Sequence, residues 1–232
     1  GLVGAGLASI LSQSLALAAG LAYWRLAPGM AAYRRAGPVR WTQIRAHLRE
    51  GLPLCLGYAG EGGAYALLGV MMGWIGATAL AAHQVVNAVA GLAYVFPLGL
   101  AGAVSIRIGQ AVGRAEPLRL RAILLAGVGI AVGWQSAAAA VFVLFGGAMA
   151  AAMSADPAVV ALAGTLFVAV ALLQVADGIQ GTALGALRGM MDNRVPTAIT
   201  LVAYWPLALP AAYLIGFVWG AGAFGIWIGY TV

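Results

Sequence analysis

Six long stretches of the chain are apolar and almost free of charge: Gly1 to Trp24, Gly51 to Trp74, Ala77 to Ile106, Ala122 to Ser154, Pro157 to Leu187 and Val195 to Trp219. Each is long enough for the ~20 residues that a helix needs to cross a hydrocarbon core of ~30 Å. The pattern therefore predicts an all-α fold, a polytopic bundle of transmembrane helices with six complete or near-complete spans. A seventh run, Gly222 to Val232, is too short to span at ~1.5 Å of rise per residue and stops at the chain end with no flanking charge. Gly1 opens directly into an apolar run, with no initiator Met and no basic flank of the kind that begins a signal peptide. Both ends lead us to expect a fragment of a longer polypeptide whose last span is truncated.

Composition strengthens this picture. The chain is 63% hydrophobic and only 8% charged, with a mean hydropathy of +0.98, against roughly 45–50% apolar and about 25% charged residues in soluble domains. The charge is informative through its placement. Every basic residue apart from the histidines is arginine, and each falls within Arg25 to Arg49, Arg107 to Arg121 or Arg188 to Arg194, whereas the connections around Gly76, Asp156 and Gly220 have none. Short basic loops stay on the cytoplasmic side, so the first run is expected to enter from outside and the later ones to alternate. The net charge of +6 is thus a topology signal, and no nucleic-acid partner is expected. The one cysteine, Cys55, cannot form an internal disulfide or a thiolate cluster and reads as a small buried residue.

The longest polar stretch, Arg25 to Glu50, carries Pro28, Pro38 and the Arg34/Arg35 pair and reads as a cytoplasmic linker. Its second part, Trp41 to Glu50, fits either a short amphipathic helix on the membrane surface or a charged loop. This gives three parts: residues 1–24 as the last helix of an otherwise missing N-terminal lobe, 25–50 as the inter-lobe linker, and 51–232 as a C-terminal transmembrane lobe. Glycine, at 34 residues, suits close helix packing in lipid, where small side chains let backbones approach. A missing N-terminal lobe related by a pseudo-two-fold axis would match the parallel-repeat plan of many transporters.

Of six acidic residues, Glu50, Glu116, Asp156 and Asp192 lie in or beside loops, but Glu61 and Asp177 lie within spans. Glu61 is ten residues past Gly51, ~15 Å along a helix at ~1.5 Å per residue, and Asp177 is eleven residues before Arg188, so both fall near the bilayer midplane. An acid at that depth costs at least ~2.5–3.5 kcal/mol unless it meets a partner, water or an ion, which makes it a functional candidate. The alternative is that each is held protonated as a hydrogen-bond donor between helices. Gln174 and Gln180 flank Asp177 at three residues on either side and share its polar face. Tyr58 and Tyr65 share the face of Glu61 at spacings of three and four, and Gly57, Gly60, Gly62 and Gly63 remove bulk beside it. His83 and Asn87 are one turn apart near the outer end of the third run, and a histidine there reads as a hydrogen-bonding group before it reads as a ligand. Pro97, Pro206 and Pro210 each remove a backbone bond inside a span and are candidate hinges. No HExxH, paired-Cys or GxxxxGK pattern is present, so no enzyme is indicated.

The block LAAHQVVNAVAGLAYVFPLGLAGAVSIRIGQAVG, Leu80 to Gly113, resembles the eighth helix of NorM-like transporters of the multidrug and toxic compound extrusion (MATE) family. The likeness continues in family order. Gly1 to Trp24 resembles helix six, and GLPLCLGYAGEGG, Gly51 to Gly63, resembles helix seven with its acid eight residues after the proline. LLQVADGIQGTALGALRGMMDN, Leu172 to Asn193, resembles helix ten, and YWPLALPAAYLIG with GIWIG resembles helices eleven and twelve. The resemblance implies one lobe of a two-lobe, twelve-helix transporter in which the acids matching Glu61 and Asp177 bind the coupling cation, Na⁺ or H⁺. Where some members carry a tyrosine four residues before the helix-ten acid, this chain has Leu173, which removes one possible oxygen ligand for Na⁺.

What the resemblance implies is a secondary antiporter that exports organic cations or drugs in exchange for H⁺ or Na⁺, with no cofactor beyond that ion. Its expected partners are the lipid bilayer, the small organic cation and the missing N-terminal lobe of the same polypeptide. The fragment is expected to be inactive alone. Arginine without lysine, together with abundant alanine and glycine, points to a GC-rich bacterial genome and to a bacterial inner membrane. Two alternatives remain: a flippase for a lipid-linked substrate in the same superfamily, which would be expected to place basic residues inside its spans, and a non-transporting scaffold or channel.

Overall fold

The computed structural model describes residues 2–34, 37, 38 and 40–231, and among them it contains helices and turns and no strand. It divides into two units, Gly1–His47 and Leu48–Val232. In the first unit, α1 (Leu2–Leu26) is followed by a short 3₁₀ helix, Pro28–Arg34. Arg34 closes the end of α1: its Nε donates to the Trp24 carbonyl at 2.7 Å and its Nη2 to the Ala27 carbonyl. A cation is favourable at the carbonyls of a helix C-terminus, and the Ala27 carbonyl also accepts the Met30 N–H at 3.0 Å. Of the Arg34/Arg35 pair, Arg35 lies outside the described residues, as do Gly1 and Val232.

The helix α2 runs unbroken from Trp41 to Ile75, so Trp41 to Glu50 forms its first turns and is neither a separate surface helix nor a loop. Arg45 to Glu50 are mostly good helix formers, and neither Gly51 nor Pro53, which costs a single backbone bond, ends the helix; Cys55, expected to be buried, is exposed on it. Then follow α3 (Ala77–Gly113), α4 (Pro117–Met153), α5 (Pro157–Gly189), α6 (Arg194–Val202), α7 (Leu209–Tyr213) and α8 (Gly222–Tyr230). Gly76, at φ 146°, makes the reversal between α2 and α3 in a conformation that a side chain would strain. Pro117 and Pro157 open α4 and α5, and the Asp156 carboxylate accepts the Ala158 N–H at 2.9 Å, both good starts for a helix.

Five helices are long and apolar enough to cross a membrane: Gly6–Leu26, Ala77–Gly113, Pro117–Met153, Pro157–Gly189 and Arg194–Val218. The α2 helix has the length but is not among them, because Glu61, its tyrosines and its many glycines dilute its hydropathy. The sixth span is one continuous rod of alternating geometry: the segments Ala203–Ala208 and Leu214–Val218 are π-helical on either side of α7. Pro206 and Pro210 lack the N–H groups that the regular ladder would use there, and a π turn is one way of accommodating the gap.

The core of the second unit is built round α5, which packs on α4, α3 and α8. Leu166, Phe167 and Ala169 of α5 are fully buried with Leu68 and Met72 of α2 and Val86 of α3, and the Phe142 and Phe167 rings lie 5.4 Å apart. Glycine sets the helix separation. At Gly185 an added methyl would meet the Ala101 backbone of α3, and at Gly189 the Ser105 carbonyl. These contacts place the C-terminal end of α5 beside that of α3, so the arginine-bearing ends Arg107 and Arg188 lie on one side. Gly185→Leu is accordingly expected to lower stability by about 1–3 kcal/mol through forced separation of α3 and α5. Gly129→Ala, which faces open space, should change stability by less than ~1 kcal/mol. Thermal unfolding of the detergent-solubilised protein checks both, and equal effects would mean that these glycines do not set the packing.

Candidate functional site

Glu61 lies in the middle of α2 and Asp177 in the second half of α5, both partly buried. The fold brings these two carboxyls, 116 positions apart in sequence, within electrostatic range of one another. Glu61 is also in range of the Arg188 guanidinium. Four tyrosines collect round the pair. Tyr94, Tyr204 and Tyr230 feel both acids, and Tyr65 feels Asp177. Their rings support each other: Tyr204 stacks on Tyr230 with centroids 5.4 Å apart, and Tyr65 meets Tyr230 edge-on at 6.0 Å. The Gln180 amide donates to the Tyr204 hydroxyl at 3.4 Å.

A directed hydrogen-bond chain runs away from this cluster. The Tyr65 hydroxyl donates to Asn87 Oδ1 at 2.5 Å, and Asn87 Nδ2 lies 2.9 Å from His83 Nε2. With the amide so oriented Nδ2 must donate, so Nε2 of His83 accepts and its ring proton sits on Nδ1. His83 is 1% exposed, its ring lies 5.4 Å from that of Trp227, and its Nδ1 has no partner among the described residues. The spacing of His83 and Asn87 therefore marks a buried polar chain at the centre of the packing.

Tyr58 is drawn to a different neighbour. Its hydroxyl accepts from Arg188 Nη1 at 2.7 Å, and the guanidinium lies 4.6 Å from the ring centroid, a combined hydrogen bond and cation–π contact. Glu61, Arg188, Asn193, Thr197 and Thr200 line a cavity of about 10 Å³, the space of roughly one water molecule. The glycines beside Glu61 serve helix approach: at Gly60 an added methyl would meet Leu201, and the Trp205 indole donates to the Gly60 carbonyl at 3.2 Å. Thr197 Oγ1 lies 2.8 Å from the Pro53 carbonyl of α2.

Of the residues singled out in the sequence, Glu61, Asp177, Tyr65, Asn87 and Gln180 are brought into this one polar region. Gln174 is buried with its Nε2 unpartnered, and Tyr58 joins through Arg188. Pro97 is buried inside an unbroken α3, Pro206 sits in the first π-helical segment and Pro210 in the first turn of α7. Sequence reasoning missed Arg188, Tyr94, Tyr204 and Tyr230. Arg188 was countable only as a loop-flanking charge, and the three tyrosines come from separate helices with no shared spacing to mark them.

The MatE family model matches residues 53–214 of the chain. A probable multidrug resistance protein NorM of Xanthomonas campestris pv. campestris is 36% identical over 238 residues, covering 97% of this chain and 52% of that protein. A protein of the same description from Bradyrhizobium diazoefficiens is 34% identical, covering 100% of this chain and 51% of its own length. The chain thus spans about half the length of the curated relatives it matches. Among solved structures, a MATE protein in complex with MaD3S superposes with a TM-score of 0.84 at 22% identity, over 100% of this chain and 52% of that one. A eukaryotic MATE transporter, AtDTX14, gives 0.81 at 20% identity over 91% and 48%. At these identities the two structures speak for the fold alone.

Replacing Asn87 by Leu leaves the Tyr65 hydroxyl and His83 Nε2 unpaired in a buried place, at a cost of about 1–3 kcal/mol for each group. Tyr65→Phe removes one partner only and should cost less. Unfolding midpoints of the purified variants check the order, and an Asn87→Leu protein as stable as Tyr65→Phe would refute the continuous chain.

Proposed function

The chain belongs to the MatE family of multi-pass membrane proteins, and from that premise we propose that it forms the C-terminal part of a secondary antiporter that exports organic cations in exchange for H⁺ or Na⁺. The observation that carries this reading is the meeting of Glu61 and Asp177 inside the bundle, ringed by tyrosines. Two acids held together in a membrane protein serve an ion or substrate path more readily than they serve packing. The printed descriptions of the curated relatives, multidrug resistance proteins, agree with a drug-like cationic substrate.

In this reading Glu61 and Asp177 bind the coupling cation, and Tyr58, Tyr65, Asn87, Gln174 and Gln180 line or support the path. Binding of H⁺ or Na⁺ from outside neutralises the pair and shifts the balance between outward- and inward-open states, which it can do only through different affinity for the two. The unbonded backbone positions at Pro97, Pro206 and Pro210 supply the hinges. Residues 1–24 serve as the last helix of a preceding lobe, a linker expected over 25–50 is shortened at its end because α2 already starts at Trp41, and the protein resides in a bacterial inner membrane as a transporter, not an enzyme. The flippase alternative is not favoured, because the arginines sit at helix ends and the central cluster is acidic.

The test is efflux of a fluorescent organic cation from cells that express the full-length polypeptide, driven in turn by a Na⁺ pulse and by an acid-outside pH step. One gradient is expected to drive efflux, and Glu61→Gln and Asp177→Asn are each expected to reduce it on the order of tenfold or more, the scale of a lost charge pair in low dielectric. Efflux that ignores both substitutions would move the coupling site outside this chain.

A further inference from the structure

Away from the acidic cluster, a groove of about 640 Å³ opens where α3 and α4 meet at their arginine-bearing ends. It exists because both helices pack mainly on α5 and turn small residues, Ala103, Ala122, Ala126 and Gly127, toward the space between them. The groove changes chemistry along its length. Arg107, Gln110 and Arg114 from the end of α3, with Glu116 and Arg119 from the start of α4, line the part nearest the turn. Leu100, Val104, Ile123 and Ile130 line the part that runs toward the middle of the span.

Three guanidinium groups face one carboxylate, and that carboxylate is already taken, since Glu116 pairs with Arg119 at 3.1 Å. The guanidinium groups of Arg107 and Arg114 make no hydrogen bond or ion pair with any described residue. From Arg119 to Ile130 is eleven residues, or ~16 Å of helix at ~1.5 Å per residue, close to the ~15 Å of half a hydrocarbon core. A ligand that fills such a groove carries negative charge at one end and a hydrocarbon chain as long as one leaflet is thick.

We propose that the groove is a binding site for an anionic phospholipid of the leaflet on the arginine side, its phosphate held by Arg107 and Arg114 and one acyl chain laid along Leu100, Val104, Ile123 and Ile130. A basic pocket between spanning helices at the membrane surface selects such headgroups, and guanidinium suits phosphate because its donors form a planar fork. A zwitterionic lipid of the same chain length would fill the slot without meeting the excess charge. A free phosphate would meet the charge and leave the apolar slot empty. The proposal rests on the membrane-protein reading and is independent of which ion or substrate is transported.

The experiment is native mass spectrometry of the full-length polypeptide in detergent, titrated separately with dioleoyl phosphatidylglycerol, dioleoyl phosphatidylcholine and inorganic phosphate. Phosphatidylglycerol is expected to bind on the order of tenfold more tightly than phosphatidylcholine, and inorganic phosphate not to displace it at equal concentration. Arg107→Gln combined with Arg114→Gln should abolish the preference, and Arg114→Gln alone should weaken it if the double variant does not fold. Ala126→Trp, which fills the slot, should weaken both lipids alike. Equal binding of the two lipids, a preference that survives loss of both arginines, or displacement by phosphate would overturn the site, the last in favour of a soluble anion.

Discussion

A carboxylate midway across a bilayer costs at least ~2.5–3.5 kcal/mol unless something compensates it, and the unit from Leu48 onward is arranged around two of them. Compensation takes different forms at the two positions. Glu61 is served by a cation, Arg188, which bends back from the end of α5 and is steadied by the Tyr58 hydroxyl and ring. Among the described residues no cation pairs with Asp177; the groups in its electrostatic range are Glu61 and phenols from α2, α3, the first π-helical segment and α8. Helices that bring so many aromatic rings to one place must otherwise lie close, and glycine permits this on the other faces of α5. Gly178 rests on Gln135 and Ala131 of α4, Gly185 on Ala101 of α3, and Gly189 on Ser105.

The direction of the hydrogen bonds matters as much as their presence. The one proton on the Tyr65 hydroxyl is engaged in the hydrogen bond to Asn87 Oδ1, and the Asn87 amide donates an N–H to His83 Nε2. The phenol oxygen of Tyr65 is then left with lone pairs only, so it cannot donate to an ionised Asp177. It can accept from a protonated carboxyl or ligate a cation. The His83 ring packs against those of Trp227 and Tyr65, which holds this chain in place beside the site.

How far the sequence could be read follows from the range of each signal. Hydrophobic runs are local, and most gave helices close to their expected bounds, though α2 starts well before its run and the last long run divides into α and π segments; the two partly buried acids were identifiable because depth along a helix is a count of residues. The start of α2 was not legible, since nothing between Trp41 and Glu50 separates an isolated surface helix from the first turns of a long one. Nor was Arg188, whose side chain reaches Glu61 although its backbone lies at a loop. Tyr230 sits in the short last run that length alone set aside, yet it is 8% exposed and stacks on Tyr204. The π-helical turns at Pro206 and Leu214 depend on how the strained ladder relaxes against α8, which no local pattern records.

Charge accounting links the site to the proposed cycle. Glu61 and Asp177 contribute two negative charges when ionised, and Arg188 contributes one positive charge in range of Glu61 only. One negative charge remains, on the side of Asp177, in a region of low dielectric where an unpaired charge is costly. One monovalent cation, a proton or Na⁺, completes the balance, and a second would leave the site positive. On the proposed reading Glu61 and Asp177 therefore share a single coupling ion, and Arg188, in range of Glu61, lowers the cost of keeping the site ready. The absence of a fourth-position oxygen at Leu173 weakens a Na⁺ shell more than a proton site, since a proton needs one carboxyl oxygen and one acceptor, and Tyr65 has an acceptor oxygen left over.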